Sequence, residues 1–242
     1  MSTLSHISAC QTVSKQRVAN YGEVYTAKRE VNAMLDLVKP ETERIESRFL
    51  EPACGNGNFL VEVLARKLAK IASRYGKGRA ITQHRAEYER YTVSAIASLY
   101  GIDILEDNVL ECRNRLYNYF TTQYINGFGL FQSDDLPNTV KYILERNIIW
   151  GNALTLQTVE DNPQPIVFSE WSLFMGGMVK RRDFTFFELL YHAENNSMPL
   201  FSDVGEDVFI PQPTKEFPPV HYLKIGQMGS ANERELTRIG IR

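Results

Sequence analysis

The chain has 242 residues, enough for one well-packed domain with a small appendage and too few for two full domains. With 43% apolar and 23% charged residues it has the composition of a soluble globular protein, which excludes a disordered or fibrous chain. A formal net charge of -2 excludes a global electrostatic drive toward nucleic acid or an anionic membrane, so any such partner has to be met by a local patch.

The N-terminal arm, residues 1–21, is polar. It has no basic stretch followed by an apolar core, and no segment of the chain approaches the length of a membrane span. The expectation is a cytoplasmic protein with no membrane partner. In residues 28–38, KREVNAMLDLV, Val31, Met34, Leu35 and Val38 recur on one helical face, and Pro40 ends the helix. A short strand, RFLEP at 48–52, leads into the glycine turn Cys54-Gly55-Asn56-Gly57-Asn58. A helix then runs from about Asn58 to Ser73 with Leu60, Val63, Leu64, Leu68 and Ile71 inward.

After a basic loop at 74–79, a helical stretch from His84 reaches Leu99, and YGIDIL at 100–105 predicts a second strand. Residues 106–120 predict a helix with Val109, Leu110, Leu116 and Phe120 available to a core. A glycine-containing loop from Asn126 and a short helix from Pro137 precede a third strand at 147–154 and a fourth, PIVFSEW, at 165–171. Residues 178–193 fit either a strand or a helix. The proline-rich tail at 209–226 predicts an extended segment docked on the sheet. Alternating strands and helices predict an α/β fold: a mainly parallel, Rossmann-like sheet with helices on both faces. The core spans 22–176 and a C-terminal extension 177–242.

Three strand ends carry polar residues in order: Glu51-Pro52-Ala53 leading into the glycine turn, Asp103 within GIDI, and Asn152 within GNAL. A glycine turn between strand and helix lets a ligand approach the backbone and aims free N–H groups at it. A carboxylate on the next strand end suits ribose hydroxyls, and polarity on the third suits an adenine edge. Each feature also has a plain structural use. Glycine turns are common, Asp103 can cap the helix from Glu106, and Asn152 can satisfy its own turn. Their succession on three strand ends favours the nucleoside site. The GxGxxG spacing of dinucleotide folds is broken because its third glycine position is Leu60, which argues against NAD or FAD.

EPACGNGNF resembles the first motif of the adenine-specific (N6) DNA methyltransferases, GIDI their second and GNAL their third. Residues 22–37, GEVYTAKREVNAMLDL, are similar to the segment that in this family packs over the methyl donor. The resemblance covers about residues 20 to 170 and is strongest for enzymes related to type I and type II modification subunits. It implies an S-adenosylmethionine site lined by Tyr25, Thr26, Glu51, Pro52, Ala53, Cys54, Gly55, Asn56, Gly57, Asn58, Phe59, Asp103, Ile104, Asn152 and Ala153. Glu51 would face the methionine end and Asp103 the ribose. It further implies methylation of adenine N6 in DNA, in a modification or phage-defence setting, with no metal. The other reading is a catalytically degenerate subunit acting as a binding or structural module.

That family's Asn/Asp/Ser-Pro-Pro-Tyr/Phe signature is missing. In that signature two acceptors bind the amine hydrogens and an aromatic ring stacks on the extruded base. Asn162-Pro163-Gln164-Pro165 precedes the fourth strand, and Phe217-Pro218-Pro219-Val220 lacks a leading acceptor. Ser169, Glu170 and Trp171, at the end of the fourth strand, supply acceptor then aromatic and are the expected catalytic group; a solvated Glu and a core Trp are the alternative. Two basic runs are candidates for phosphate contact as well as for ordinary solvated faces: Arg66, Lys67, Lys70, Arg74, Lys77, Arg79 and Arg85, and Lys180-Arg181-Arg182. The chain leaves no room for a target-recognition domain, so a specificity subunit or other protein partner is expected beside DNA.

Overall fold

The structure, a computed structural model, describes residue 17 and residues 26–75, 84–195 and 211–228. Helix α1 (Lys28–Asp36) and the short α2 (Lys39–Glu43) precede strand β1 (Phe49–Glu51). Next come α3 (Asn58–Tyr75), α4 (Arg85–Ala97), β2 (Leu99–Asp103), α5 (Glu106–Phe128), α6 (Asp135–Asn147) and β3 (Ile148–Asn152). β1, β2 and β3 pair in parallel in that order, and the two-residue β4 (Gln157–Thr158) adds antiparallel to β3. This is an α/β architecture with a mostly parallel first sheet, compatible with a Rossmann-like fold.

Side chains alternate across β2 and divide the core. Leu99 lies in the large core with the helices, and Gly101 is pressed against Leu60 of α3. Tyr100 and Ile102 enter a second core with Ile166, Phe168 and Phe186. Helices α3 to α6 share the first face because successive right-handed crossovers that step in one direction along a sheet return on the same side. The four crossover helices thus lie on one face of the sheet. The second face is covered by a hairpin of β5 (Val167–Leu173) and β6 (Met178–Thr185), followed by α7 (Phe186–Asn195).

The expected fourth parallel strand is thus the first strand of a separate antiparallel sheet. That sheet is completed by β7 (Lys215–Glu216) and β8 (Val220–His221), both paired to β6. The hairpin turns at Gly176 and Gly177, with φ of 71° and 73°, so the expected boundary after residue 176 falls inside a supersecondary unit. Residues 178–193 resolve as strand followed by helix. The tail docks on β6, and its Tyr222–Gln227 turn packs on α6, where Thr139 Oγ1 donates to Tyr222 O at 2.8 Å. Pro40 starts α2 rather than only ending α1. Met34, Val38 and Leu110, expected inward, are 54%, 44% and 49% exposed.

One polar group lies deep in the helical layer. Lys67 is fully buried, and its Nζ donates to Ile45 O (3.0 Å), Ser47 O and Ser98 Oγ, fastening α3 to the chain before β1 and to the end of α4. Burial pushes its amine down to about 7. Between that value and the ordinary 10.5 the unfolded chain binds more protons than the folded one, so stability rises with pH across this window. Below about 7 the contribution is lost. At pH 9 the amine is neutral with two N–H groups, and Lys67→Met, which leaves the Ile45 and Ser47 carbonyls without their donor, is expected to lower stability by about 3 kcal/mol. Urea denaturation at pH 7 and pH 9.5 checks both points, and the variant should lose the part of the pH slope that Lys67 supplies.

Candidate functional site at the carboxyl ends of the parallel strands

The carboxyl ends of β1, β2 and β3 bring Glu51, Asp103 and Asn152 to one edge of the sheet, with Glu51 in register with Gly101 and Asp103 with Trp150. Asp103 is only 8% exposed, and its carboxylate organises the turn. Oδ2 accepts from Gly55 N–H (2.8 Å), while Oδ1 accepts from Leu105 N–H (2.9 Å) and from Asn108 Nδ2 (3.3 Å). The turn begins with Cys54 N–H donating to Ile102 O and closes with Gly57 N–H donating to Cys54 O, at 2.9 and 2.8 Å. Gly55 and Gly57 adopt φ of 50° and 86°, the left-handed conformation that other residues rarely take. A side chain at Gly57 would also strike the Cys112 sulfur 2.6 Å away.

Helix α5 holds the turn from behind. Asn108, Cys112 and Arg115 are spaced i, i+4, i+7 and share one face. Asn108 reaches Asp103, and Cys112 abuts Gly57. Arg115 Nη1 donates to Asn56 O and Asn58 Oδ1, both at 2.8 Å. Helical periodicity alone would have grouped these three, but their role depended on knowing where α5 lies. Asn58 in turn donates from Nδ2 to Thr26 O (3.1 Å), joining the segment before α1 to the turn. Arg17 pairs with Asp107 and donates to Asn108, and its guanidinium holds the Asp107 carboxyl below its usual range. Tyr25 lies outside the described residues.

The remaining expected residues divide by chemistry. Burial raises the Glu51 carboxyl above its ordinary value, partly offset by the Ala53 N–H at 3.4 Å. A hydrogen bond with the Cys112 thiol, followed by burial, pushes the Cys54 thiol strongly up, so it packs and does not act as a thiolate. Asn152 Oδ1 accepts from Leu154 N–H (2.9 Å) and Thr155 N–H (3.4 Å), satisfying its own turn. Ala153 packs against the second core, and Phe59 against the helical one. Ile104 is 43% exposed beside Trp150, whose Nε1 donates to Ile104 O at 3.0 Å. Ile104 was expected at the site; Trp150 beside it was missed in the sequence, where it read as one more strand residue.

Ser169, Glu170 and Trp171 are not brought to this edge. β5 follows Ile166, which lies against Gly151 at the carboxyl end of β3, and runs back along the sheet. Trp171 Nε1 then donates to Asn147 Oδ1 (3.3 Å), just before β3 begins. Glu170 also points away from the other two. Ser169 is buried, its Oγ donating to Asp183 Oδ1 (2.8 Å) and accepting from Arg181 Nε (3.0 Å). Glu170 accepts from Arg48 and, at 2.7 Å, pairs with Arg182; Trp171 packs edge-on to Tyr142. Strand alternation sets Glu170 on the face opposite Ser169 and Trp171, and the reversed strand direction carries all three toward the amino ends of the parallel strands, away from Asp103 and the glycine turn.

The basic runs are largely engaged within the fold. Arg66 pairs with Asp36 (2.8 Å), Lys67 is buried, Lys70 faces Glu43 (3.7 Å), and Arg85 donates to Tyr124. Lys180, Arg181 and Arg182 pair with Glu216, Asp183 and Glu170. Lys77 and Arg79 lie outside the described residues. Among the described residues no cluster of three or more His, Cys, Asp or Glu side chains could hold a metal ion, and no helix is long and apolar enough to cross a membrane. Comparison with protein-family models, with curated proteins and with solved structures gives no match.

Proposed function

We propose that the protein is the donor-binding subunit of an S-adenosylmethionine-dependent DNA methyltransferase acting on adenine N6, with base-handling groups supplied from outside the described residues. One observation carries the reading: the Asp103 carboxylate clasps the Gly55 N–H of a left-handed glycine turn across two adjacent parallel strand ends. This is the arrangement expected for a ligand with a ribose and a charged tail. The residues fit such a ligand. A carboxylate offers about four acceptor directions, and Asp103 uses three, leaving one for a ribose hydroxyl. Glu51 offers a carboxylate of opposite sign to a cationic tail, and the half-exposed Ile104 gives an apolar face to a purine. The bound donor would supply an electrophilic methyl group, and this chain's part is to orient it.

The adenine N6 acceptor and the DNA-modification setting rest on the resemblance of EPACGNGNF, GIDI and GNAL. The degenerate-subunit reading is favoured over a self-sufficient enzyme because Ser169, Glu170 and Trp171 lie toward the amino ends of the strands. Calorimetric titration with S-adenosylmethionine is the test, followed by radiolabelled methyl transfer to unmodified double-stranded DNA. Donor binding in the micromolar range without transfer by the chain alone is the expected result. Transfer by the chain alone would overturn the division of labour, and absence of donor binding would overturn the function.

A further inference from the structure

β2 is buried along its whole length, whereas its neighbour β1 is only half covered and Leu50 is 42% exposed. The cause is topological. β1 pairs with β2 on one side and, among the described residues, with no strand on the other. Phe49 N–H donates to Ser98 O, so its main-chain groups face β2; the alternation of a parallel ladder then turns the N–H and C=O of Leu50 to the open edge. Beside this edge lies a cavity of about 580 Å³ lined by Leu50, Tyr100, Phe168, Phe184, Phe186 and Leu190. It meets, at Arg48 and Tyr100, a second cavity of about 640 Å³ that reaches Ser172 and Leu173. Together they form a groove beside Arg48 and Leu50, at an edge of β1 that no described strand covers.

The charge beside the groove is unbalanced. Arg48 and Arg182 share the single carboxylate of Glu170, leaving one positive charge in excess at the wall. We propose that this edge and groove receive a β-strand of a different polypeptide, with apolar side chains at alternate positions and an acidic residue facing Arg48. An extended backbone is the partner that satisfies both outward groups of Leu50 while its alternate side chains fill the groove. A second copy of β1 fits poorly, because it would bring Arg48 to a wall already in positive excess and Pro52, which has no N–H, into the outward register. Arg48 and Pro52 on either side of Leu50 also limit indiscriminate edge pairing.

A strand added parallel to β1 ends beside Glu51 and the glycine turn, where groups that handle the acceptor base are required. This last step rests on the donor-binding reading above; the docking itself does not. The test is selection of a random nonapeptide library against the full chain, with enriched peptides measured by fluorescence polarisation. Enriched peptides should alternate apolar residues and carry an acid. N-methylation of their alternate amides should weaken binding by about tenfold or more, as should Leu50→Pro, which removes the outward N–H but no bond to β2.

Circular dichroism checks the fold of that variant. Leu190→Glu, on α7 and away from the ladder, blocks the groove independently and should weaken the same peptides. No enrichment would overturn the proposal. So would enriched peptides that ignore both N-methylation and the two variants, since the groove would then hold apolar groups without strand pairing. Peptide binding by a chain that does not bind S-adenosylmethionine would leave the docking intact and sink the donor reading.

Discussion

Asp103→Ala is expected to weaken S-adenosylmethionine binding by about a hundredfold or more and to lower stability by about 2–4 kcal/mol. The two effects have one origin. The carboxylate accepts from Gly55, Leu105 and Asn108, so its removal leaves two main-chain N–H groups and an amide without their acceptor at a nearly buried position. It also releases the glycine turn from β2, and with it the orientation of the first residues of α3. Asp103→Asn separates the contributions: one oxygen remains, but an NH2 group confronts one of the existing donors, so turn geometry suffers more than volume. Calorimetry at a temperature where circular dichroism shows each variant folded measures affinity apart from stability. Donor binding by Asp103→Ala within threefold of the unmodified chain would end the nucleoside reading, leaving Asp103 a clasp for the turn and nothing more.

Gly57→Ala should be strongly destabilising. Two penalties add: φ of 86° strains any residue with a Cβ, and the new carbon lies 2.6 Å from Cys112 Sγ and 3.3 Å from its Cβ. Neither neighbour yields easily, because Cys112 is fully buried on α5. A loss of about 3–5 kcal/mol is expected from strain and overpacking together, or about 6–20 °C in Tm for a chain of this size. Combining Gly57→Ala with Cys112→Ala removes the clash but not the backbone strain, so the double variant should recover part of the loss. If the single substitution leaves Tm within 2 °C, the turn does not hold the conformation described here. Cys112→Ser alone, which keeps the volume, is the control for the cysteine.

The local pattern of α3 was legible because burial follows a 3.6-residue period there: Leu60, Val63, Leu64, Leu68 and Ile71 are all inward. The glycine turn was legible for a different reason. Only a few residue types tolerate its backbone, so Gly55 and Gly57 announce it. Asp103 was legible as a polar residue ending an apolar strand. What α5 does for the site was not, since Asn108, Cys112 and Arg115 reach Asp103, Gly57 and Asn56 only once α5 is packed behind the turn. Met34 and Leu110 show the reverse error: periodicity assigned them to a core, and no described element covers them.

The segment PIVFSEW marks where local information stops. Its apolar run establishes a strand, and nothing within it states a direction or a partner. That choice was made by the hairpin through Gly176 and Gly177, which pairs β5 with β6 along its full length instead of with β1. By itself, then, the sequence determined the periodic helices, the apolar strands and the glycine turn with Asp103 after it, because steric and hydrophobic preferences act within a few residues. The tertiary structure alone decided which strand lies beside which, and so which face holds the crossover helices, why Ser169, Glu170 and Trp171 lie away from the glycine turn, and why one edge of β1 has no strand beside it among the described residues. Strand pairing joins residues far apart in the chain through main-chain groups common to every residue, so the sequence carries little local record of it.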